Sequence, residues 1–462
     1  MQIFDTLRRE KVRFEPAKEN RFRIYLCGPT VYDYGHLGHG RSAIVFDVLR
    51  RYLTYRGYEV TFVRNWTDID DKTIDRAARE GISVKELSEK FINIYREDFE
   101  RLNILEPDYD PKPTEHIQEI IDLISRLFDR GHAYRLDDGV YYDISTFTEY
   151  GTLSGQPLEE LRSGARVEVS DQKRNPGDFA LWKFKKPGEP AWESPWGKGR
   201  PGWHIECSAM SMKYLGEEFD LHCGGQDLIF PHHEDEIAQS QGAGYAYARY
   251  WMHNGFLNIE GEKMSKSLGN FFTLREVFER YSPLTVRFFL LSAHYRAPLA
   301  FSEATLKQAE SALNRFNDFI LRVKEIARSG RTEKPSVDRT VLLRATRQGF
   351  EEGLDDDLNI SRSLASLSDL VRDVNILIEE GRLSVREAGD VVAFLQDVDR
   401  VLGVFTFERE MLPKEIERRI EDRNIARSRK DYSEADRIRK ELQDIGVMLE
   451  DTREGTRWKR VN

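Results

Sequence analysis

The order of apolar segments near the N-terminus constrains the fold of this chain most strongly. Residues 22–27 (FRIYLC) alternate as a β-strand does, residues 38–56 repeat apolar side chains at a helical period, and residues 58–63 (YEVTFV) return as a strand. This order predicts a βαβ unit, which opens a doubly wound parallel sheet in an α/β protein. The parallel pattern is expected to resume near His204 and again at residues 219–222.

Two proline-rich segments predict an insertion in this sheet domain. The segment 106–113 (EPDYDPKP) and the segment 185–202 (KKPGEPAWESPWGKGRPG) both indicate boundaries. Between them, Asp138-Gly139 lies between apolar residues and predicts a β-hairpin. Residues 111–200 are therefore interpreted as an inserted subdomain.

The second half of the chain has helical periodicity. The helical pattern begins at Ser302, a linker is expected at 328–336, and residues 338–402 are again helical. Residues 411–462 form a final charged unit of helices, with a strand candidate at 447–450.

Composition narrows the class of protein. A chain of 462 residues is too long for one ordinary domain, and it has no apolar run long enough for a membrane span. The charged N-terminus does not resemble a secretory signal, and three cysteines are too few for a disulfide framework. We therefore expect a cytoplasmic protein whose thiols stay reduced and can bind metal. The net charge of −10 argues weakly against a nucleic-acid partner, although residues 411–462 are mildly basic.

The sequence YGHLGH at residues 34–39 follows the first strand and opens the first helix. Doubly wound sheets bind nucleotides at this place, because helix N–H groups face the phosphates there. Gly38 lets the backbone approach closely, and His36 and His39 can donate hydrogen bonds to phosphate oxygens. Two surface histidines at a turn remain the alternative.

The sequence KMSKS at residues 263–267 places Lys263 and Lys266 three positions apart, close to a glycine. A mobile cationic loop of this kind can follow pyrophosphate as negative charge develops on it. A solvated lysine turn is the alternative interpretation.

The segment PHHEDE at residues 231–236 allows three interpretations: a metal site, a general base, or the charged start of a helix. His232 and Glu236 are four residues apart, so a helix would place them on one face. With Cys27 and Cys207 they would make a tetrahedral zinc site. Spacing alone does not decide between this site and buried structural cysteines.

Several segments together resemble the cysteinyl-tRNA synthetase family, a group of class I aminoacyl-tRNA synthetases, nearly end to end. They are CGPTVYDYGHLGHGR (27–41), NWTDIDDK (65–72), GRPGWHIECSAM (199–210), FPHHEDEIAQS (230–240) and GEKMSKSLGN (261–270). The resemblance implies a Rossmann-like catalytic domain with an inserted subdomain, followed by a helical domain and a C-terminal anticodon-binding unit. The implied domains are the catalytic domain (1–110 and 201–250), the connective insertion (111–200), a stem-like KMSKS region (251–310), a helical bundle (311–405) and the anticodon unit (406–462).

The resemblance implies activation of L-cysteine with ATP and Mg²⁺, release of pyrophosphate, and transfer of the cysteinyl group to the terminal ribose of tRNA(Cys). It implies transition-state stabilisation by His36, His39, Lys263 and Lys266, and zinc ligation by Cys27, Cys207, His232 and Glu236. It implies ATP contacts by His36, Gly38, His39, Gly224, Gly225, Asp227 and Lys266. It implies substrate contacts by Gly28, Thr67, Trp203 and Asp227, and anticodon contacts by Arg427, Asp436 and Asp451. Zinc would favour the thiol of cysteine over the hydroxyl of serine, so no editing domain is needed.

The chain departs from the family pattern at Cys223, which replaces a glycine in the HCGGQD segment and is not expected to bind zinc. His233 and Glu234 have no implied ligand role, and His233 is expected to pack beside the ligands. We expect a monomer with no membrane partner.

Two alternative functions remain: a related ligase that joins cysteine to an amino sugar, and a non-catalytic RNA-binding paralogue. The charged tail argues against the first, and the intact HLGH and KMSKS segments argue against the second.

Overall fold

A computed structural model describes residues 1–156, 172–259, 262–263, 272–329, 340–408, 413–452 and 455–460. The chain divides into two compact units, one of residues 1–278 and 282–405 and one of residues 406–462 with 279–281. The helices of the first unit are α1 (Leu37–Tyr55), α2 (Asp71–Glu80), α3 (Val84–Arg101), α4 (Ile117–Asp129), α5 (Trp203–Leu215), α6 (Glu234–Gly242), α7 (Leu274–Phe278), α8 (Pro283–Leu290), α9 (Glu303–Arg328), α10 (Thr340–Asp355), α11 (Ile360–Glu379) and α12 (Val385–Leu402). Its strands are β1 (Gln2–Asp5), β2 (Glu10–Arg13), β3 (Arg21–Leu26), β4 (Glu59–Arg64), β5 (Ala133–Arg135), β6 (Gly139–Tyr142), β7 (Phe179–Phe184), β8 (Gly199–Pro201), β9 (Glu218–Gly225), β10 (Tyr247–Asn254), β11 (Leu257–Ile259), β12 (Glu262–Lys263) and β13 (Leu299–Phe301).

The central sheet is parallel and has the strand order β10-β9-β3-β4. The predicted βαβ unit is confirmed as β3, α1 and β4, with Val45, Leu49 and Leu53 of α1 buried. The carboxyl ends of these strands meet at one edge. There the Cys27 N–H donates to the Cys223 carbonyl at 3.0 Å.

The expectation of a strand near His204 is wrong, because residues 203–215 form helix α5. Residues 205–211 of this segment are all buried, and they include the polar residues Glu206 and Ser208, so polar side chains do not mark a solvent-facing side. A short apolar run does not reveal whether it is a strand or a buried helix. The expectation for residues 219–222 is confirmed, since they lie within the parallel strand β9.

The insertion forms an antiparallel sheet of strands β5-β6-β7-β8. The hairpin predicted around Asp138-Gly139 is confirmed, because β5 and β6 pair antiparallel and Asp138 lies in the turn that precedes β6. Helix α4 contributes Ile120, Ile124 and Leu127 to the same core as Trp182 of β7.

The helical region predicted at 338–402 consists of three helices, α10 to α12. The break between α10 and α11 contains Asp357 and Leu358, which both have positive φ angles (59° and 51°) and therefore interrupt a right-handed helix. Helix α9 begins after the capping residue Ser302, as expected. Most of the linker expected at 328–336 lies outside the described residues.

The second unit contains α13 (Lys414–Ser428), α14 (Tyr432–Asp444), β14 (Val447–Thr452) and β15 (Gly455–Arg460). The two strands form an antiparallel hairpin. The core of this unit is formed where α14 packs against β14, and it contains Ile438, Leu442, Val447 and Leu449. The strand predicted at 447–450 is confirmed.

Candidate active site

The two histidines of the HLGH segment cap helix α1. His36 is the N-cap residue, and its Nδ1 accepts a hydrogen bond from the His39 N–H at 3.3 Å. His39 Nδ1 accepts in return from the His36 N–H at 3.3 Å, and the ring centroids lie 3.6 Å apart. The pair thus lies at the positive end of the helix dipole, at the edge of the sheet where nucleotides bind.

Four side chains from distant parts of the chain converge beside this edge. Cys27 follows β3, Cys207 belongs to α5, His232 precedes α6, and Glu236 lies within α6. Their ligand atoms all lie within 4.8 Å of one another. The structure therefore brings together the four residues that the resemblance implies as zinc ligands.

The spacing of these atoms fits a tetrahedral metal site. Cys27 Sγ lies 3.6 Å from both Cys207 Sγ and Glu236 Oε1, and His232 Nε2 lies 3.2 Å from Glu236 Oε1. Metal bonds of 2.0–2.3 Å to a tetrahedral zinc place its ligand atoms roughly 3.3–3.8 Å apart. Zinc also binds all three ligand types present here, which are thiolate sulfur, imidazole nitrogen and carboxylate oxygen.

The two thiols have different proton affinities. Burial raises the pKa of Cys27 well above its ordinary value. The hydrogen bond that Cys27 donates lowers the pKa of Cys207 to about 6. Cys207 is therefore the thiol that ionises first, and the thiolate is the form that binds metal.

A second group of potential ligands shares two members with the first. It consists of Cys27, His222, His233 and Glu236. His222 Nε2, however, lies 2.8 Å from Glu236 Oε2, which is a hydrogen-bond distance, and the Tyr247 hydroxyl donates to the same oxygen at 2.6 Å. These contacts occupy Oε2 and leave Oε1 facing the thiols, so the first group is the better metal site.

The sequence pattern did not assign a role to His222 or Tyr247. Burial opposes ionisation of Glu236, but the charges of His222 and His232 hold the pKa of this carboxyl below its ordinary value. The signal available for His222 was a histidine inside the predicted strand at residues 219–222, because a polar side chain within a buried strand needs a hydrogen-bond partner. The signal for Tyr247 appears only in the tertiary structure.

The interpretation of PHHEDE as a helix start predicts a helix that begins at Pro231, and the structure differs from it locally. Helix α6 begins at Glu234 rather than Pro231, because Phe230 is extended (φ −135°, ψ 131°) and residues 229–233 form a wider turn. His233 packs beside the ligands, as expected, with Nε2 3.3 Å from Cys27 Sγ and Nδ1 2.7 Å from His253 Nε2. Cys223 belongs to neither ligand group among the described residues, and its thiol donates to the Tyr25 carbonyl.

The predicted substrate contacts have different environments. Gly28 is held against β4, where an added Cβ would come within 1.6 Å of the Asn65 carbonyl oxygen. Thr67 is buried, and its N–H donates to the Pro29 carbonyl. Trp203 is 40% exposed, and its ring centroid lies 4.5 Å from that of His232. The indole is therefore an accessible side chain that touches the ligand cluster.

The remaining predicted nucleotide contacts lie near the end of β9 and in or after β12. Gly224 is the next-to-last residue of β9, where an added Cβ would meet the His233 ring at 3.0 Å, and Asp227 is exposed just beyond the strand. Lys263 pairs with Asn258 through the backbone of β12, and Lys266 lies outside the described residues.

In the second unit, the structure brings two of the three predicted anticodon contacts together. Asp451 Oδ2 lies 2.5 Å from Arg427 Nη1, and Arg423 binds both carboxylate oxygens of Asp451 at 2.5 and 2.7 Å. The hydrogen bonds from Arg423 hold the pKa of Asp451 well below its usual range. The charge of Asp436 also acts on Arg423.

Among the described residues, none of the helices combines the length and apolar character that crossing a membrane requires.

Three family models match the chain. They are the class I (C) tRNA synthetase catalytic domain (residues 13–311), the DALR domain (349–406) and the cysteinyl-tRNA ligase anticodon-binding domain (409–458).

Relatives match the chain over its full length. The cysteine–tRNA ligase of Geobacter sulfurreducens is 48% identical over 99% of this chain and 99% of its own. The cysteine–tRNA ligase of Caldicellulosiruptor saccharolyticus is 47% identical over the whole of both chains. A solved structure of Mycobacterium tuberculosis methionyl-tRNA synthetase with methionyl-adenylate shares the fold, with a TM-score of 0.63 and 18% identity over 83% of this chain and 89% of that chain. The sequence-based family assignment is confirmed, and the chain belongs to the cysteinyl-tRNA synthetase family of class I aminoacyl-tRNA synthetases.

Proposed function

We propose that this protein is a cysteine–tRNA ligase that activates L-cysteine with ATP and transfers the cysteinyl group to the 3′-terminal ribose of tRNA(Cys). The observation that carries the proposal is the convergence of Cys27, Cys207, His232 and Glu236 beside the histidine-capped N-terminus of α1. A group that can recognise a thiol thus lies at the same sheet edge as a group that can bind phosphate.

His36 and His39 act on the ATP half of the reaction. Their side-chain N–H groups and the N-terminus of α1 would stabilise negative charge on the α-phosphate while the cysteine carboxylate attacks it. Lys263 and Lys266 would follow the departing pyrophosphate, and Mg²⁺ would accompany ATP. Catalysis then depends on positioning and electrostatics rather than on a general base.

The four-residue cluster acts on the amino-acid half. A zinc ion held there would supply a soft centre that binds a thiolate in preference to a hydroxyl. His222 and Tyr247 orient Glu236 towards this centre, while Trp203 lies at its accessible side. Rejection of serine would follow from the chemistry of the site, without an editing step.

The second unit would read the anticodon. Arg427, Asp436 and Asp451 carry the charged groups that can pair with splayed base edges. The catalytic domain, insertion, stem-like region, helical bundle and anticodon unit would then occupy the ranges that the family resemblance implies. We further propose a cytoplasmic monomer, consistent with the three free thiols.

The test uses the purified full-length chain. We expect ATP–pyrophosphate exchange that depends on cysteine, with kcat/KM for serine lower by about 10⁴-fold or more, and charging of tRNA(Cys). Metal analysis should find about one zinc per chain. A matched reaction without amino acid measures background exchange.

Other outcomes would favour the alternative functions. Cysteine-dependent exchange without tRNA charging, together with transfer to an amino sugar, would identify the related cysteine ligase. Absence of exchange with any amino acid would identify a non-catalytic paralogue.

A further inference from the structure

His39 has two hydrogen-bond donors directed at one ring nitrogen. The His36 N–H donates to His39 Nδ1 at 3.3 Å, and the hydroxyl of Tyr95 lies 3.0 Å from the same atom. Tyr95 belongs to α3, outside the HLGH segment. The His39 ring is therefore contacted both by the cap of its own helix, α1, and by a side chain of α3.

These contacts determine where the ring proton of His39 lies. A backbone N–H can only donate, so the long 3.3 Å contact from His36 favours Nδ1 as the accepting, unprotonated nitrogen, and the shorter 3.0 Å contact from Tyr95 strengthens this preference. The Tyr95 hydroxyl must then also donate to it. Burial raises the pKa of Tyr95 well above its ordinary value, so this donor is present throughout the range in which enzymes work. The proton of the neutral imidazole then resides on Nε2.

Tyr95 is held firmly in this orientation. Its side chain is 1% exposed, and its ring packs against Trp66 and Phe99 at centroid distances of 5.8 and 5.7 Å. Gly35 makes room for it, because an added Cβ there would meet the Tyr95 ring at 2.8 Å. A hydroxyl on such a rigid ring can define the orientation of its partner.

We infer that Tyr95 is a positioning residue for His39, whose hydroxyl fixes the Nε2–H tautomer and the ring orientation in which His39 donates to the nucleotide phosphate. The phosphate contact rests on the proposed function, whereas the tautomer does not. Tyr95 itself touches His39 and is not required to touch substrate.

The decisive variant is Tyr95→Phe, which removes the hydroxyl and keeps the packing ring. We expect kcat of cysteine-dependent pyrophosphate exchange to fall about tenfold, with KM for cysteine unchanged. The matched control is Tyr52→Phe in α1. It also removes a buried hydroxyl, which donates to Asp355 at 2.9 Å, but it lies about 20 Å along the helix from His39.

Nitrogen-15 NMR of labelled histidine measures the tautomer directly. His39→Gln identifies the His39 signals among the 10 histidines. The wild type should show unprotonated Nδ1 and protonated Nε2 at His39, and Tyr95→Phe should shift both signals towards a mixture of tautomers.

Three results would overturn the inference. They are a protonated Nδ1 at His39 in the wild type, an unchanged tautomer and kcat in Tyr95→Phe, and an equal loss of kcat in Tyr52→Phe. Wild-type protein that shows the expected tautomer but no exchange would instead contradict the proposed function.

Discussion

The HLGH pair and the four-residue ligand cluster occupy the same edge of the sheet but are built in different ways. His36 and His39 lie three residues apart and hold each other through the cap of α1. The ligand cluster joins Cys27 to Glu236 across 209 positions and exists only when β3, α5 and α6 have packed together. The reciprocal cap of the two histidines needs only local structure, whereas the ligand cluster needs the whole fold.

The difference predicts that the two sites can be damaged separately. A change in the HLGH pair should reduce catalysis without loss of metal. A change in the cluster should remove metal and activity together. The following variants test this separation.

Cys207→Ser should have the largest effect. It removes the thiol whose pKa is lowered to about 6, so the cluster loses its first thiolate. We expect zinc content to fall below about a tenth of an equivalent and exchange activity to fall about 10³-fold, measured by metal analysis and pyrophosphate exchange.

Cys223→Ser is the matched control for this variant, because Cys223 is also a buried free thiol but lies outside both ligand groups. It should keep its zinc. Equal zinc loss in the two variants would mean that general disturbance of the core, rather than ligation, controls metal binding.

His36→Asn should have the next largest effect and should act on catalysis alone. Asparagine is a good N-cap residue, so it preserves the start of α1 while it removes the imidazole. We expect kcat of exchange to fall about 100-fold with unchanged zinc content. His36→Ala should lose a similar amount of activity and also about 1 kcal/mol of unfolding free energy, measured by denaturant titration. Zinc loss in His36→Asn would contradict the independence of the two sites.

His222→Asn should have the smallest effect of the three and should appear first as weaker metal binding. His222 Nε2 lies 2.8 Å from Glu236 Oε2 and so orients this carboxylate, but His222 is not itself in the favoured ligand group. Loss of such an outer contact weakens metal affinity by about 10–100-fold, which competition with a chelator can measure. If His222→Asn loses its zinc completely while Cys207→Ser keeps it, the group of Cys27, His222, His233 and Glu236 is the true metal site.

The sequence was informative where the structure is local or repetitive. The alternation of residues 22–27 and the helical period of residues 38–56 predicted β3 and α1, because burial of one face imposes these periods on the chain. The same reasoning failed at residues 203–215, because residues 205–211 are all buried and polar and apolar side chains therefore do not alternate at a helical period.

For the ligand cluster, the residue types and the family resemblance named the four residues, but spacing alone left buried structural cysteines as the alternative interpretation. The contacts that choose among ligands come from other elements. The β9 residue His222 and the β10 residue Tyr247 occupy one oxygen of Glu236 and leave the other for the thiols. Tyr95 of α3 does the same for His39, since it occupies Nδ1.

The amino-acid order thus suffices for the βαβ unit of the parallel sheet and for the family, because these are read from the periodicity and the motifs of neighbouring residues. Which atom of Glu236 faces the thiols, and which nitrogen of His39 carries the proton, is decided by side chains that the tertiary fold brings from far along the chain. Hydrogen bonds are short and directional, so only the packed structure can bring these partners within reach.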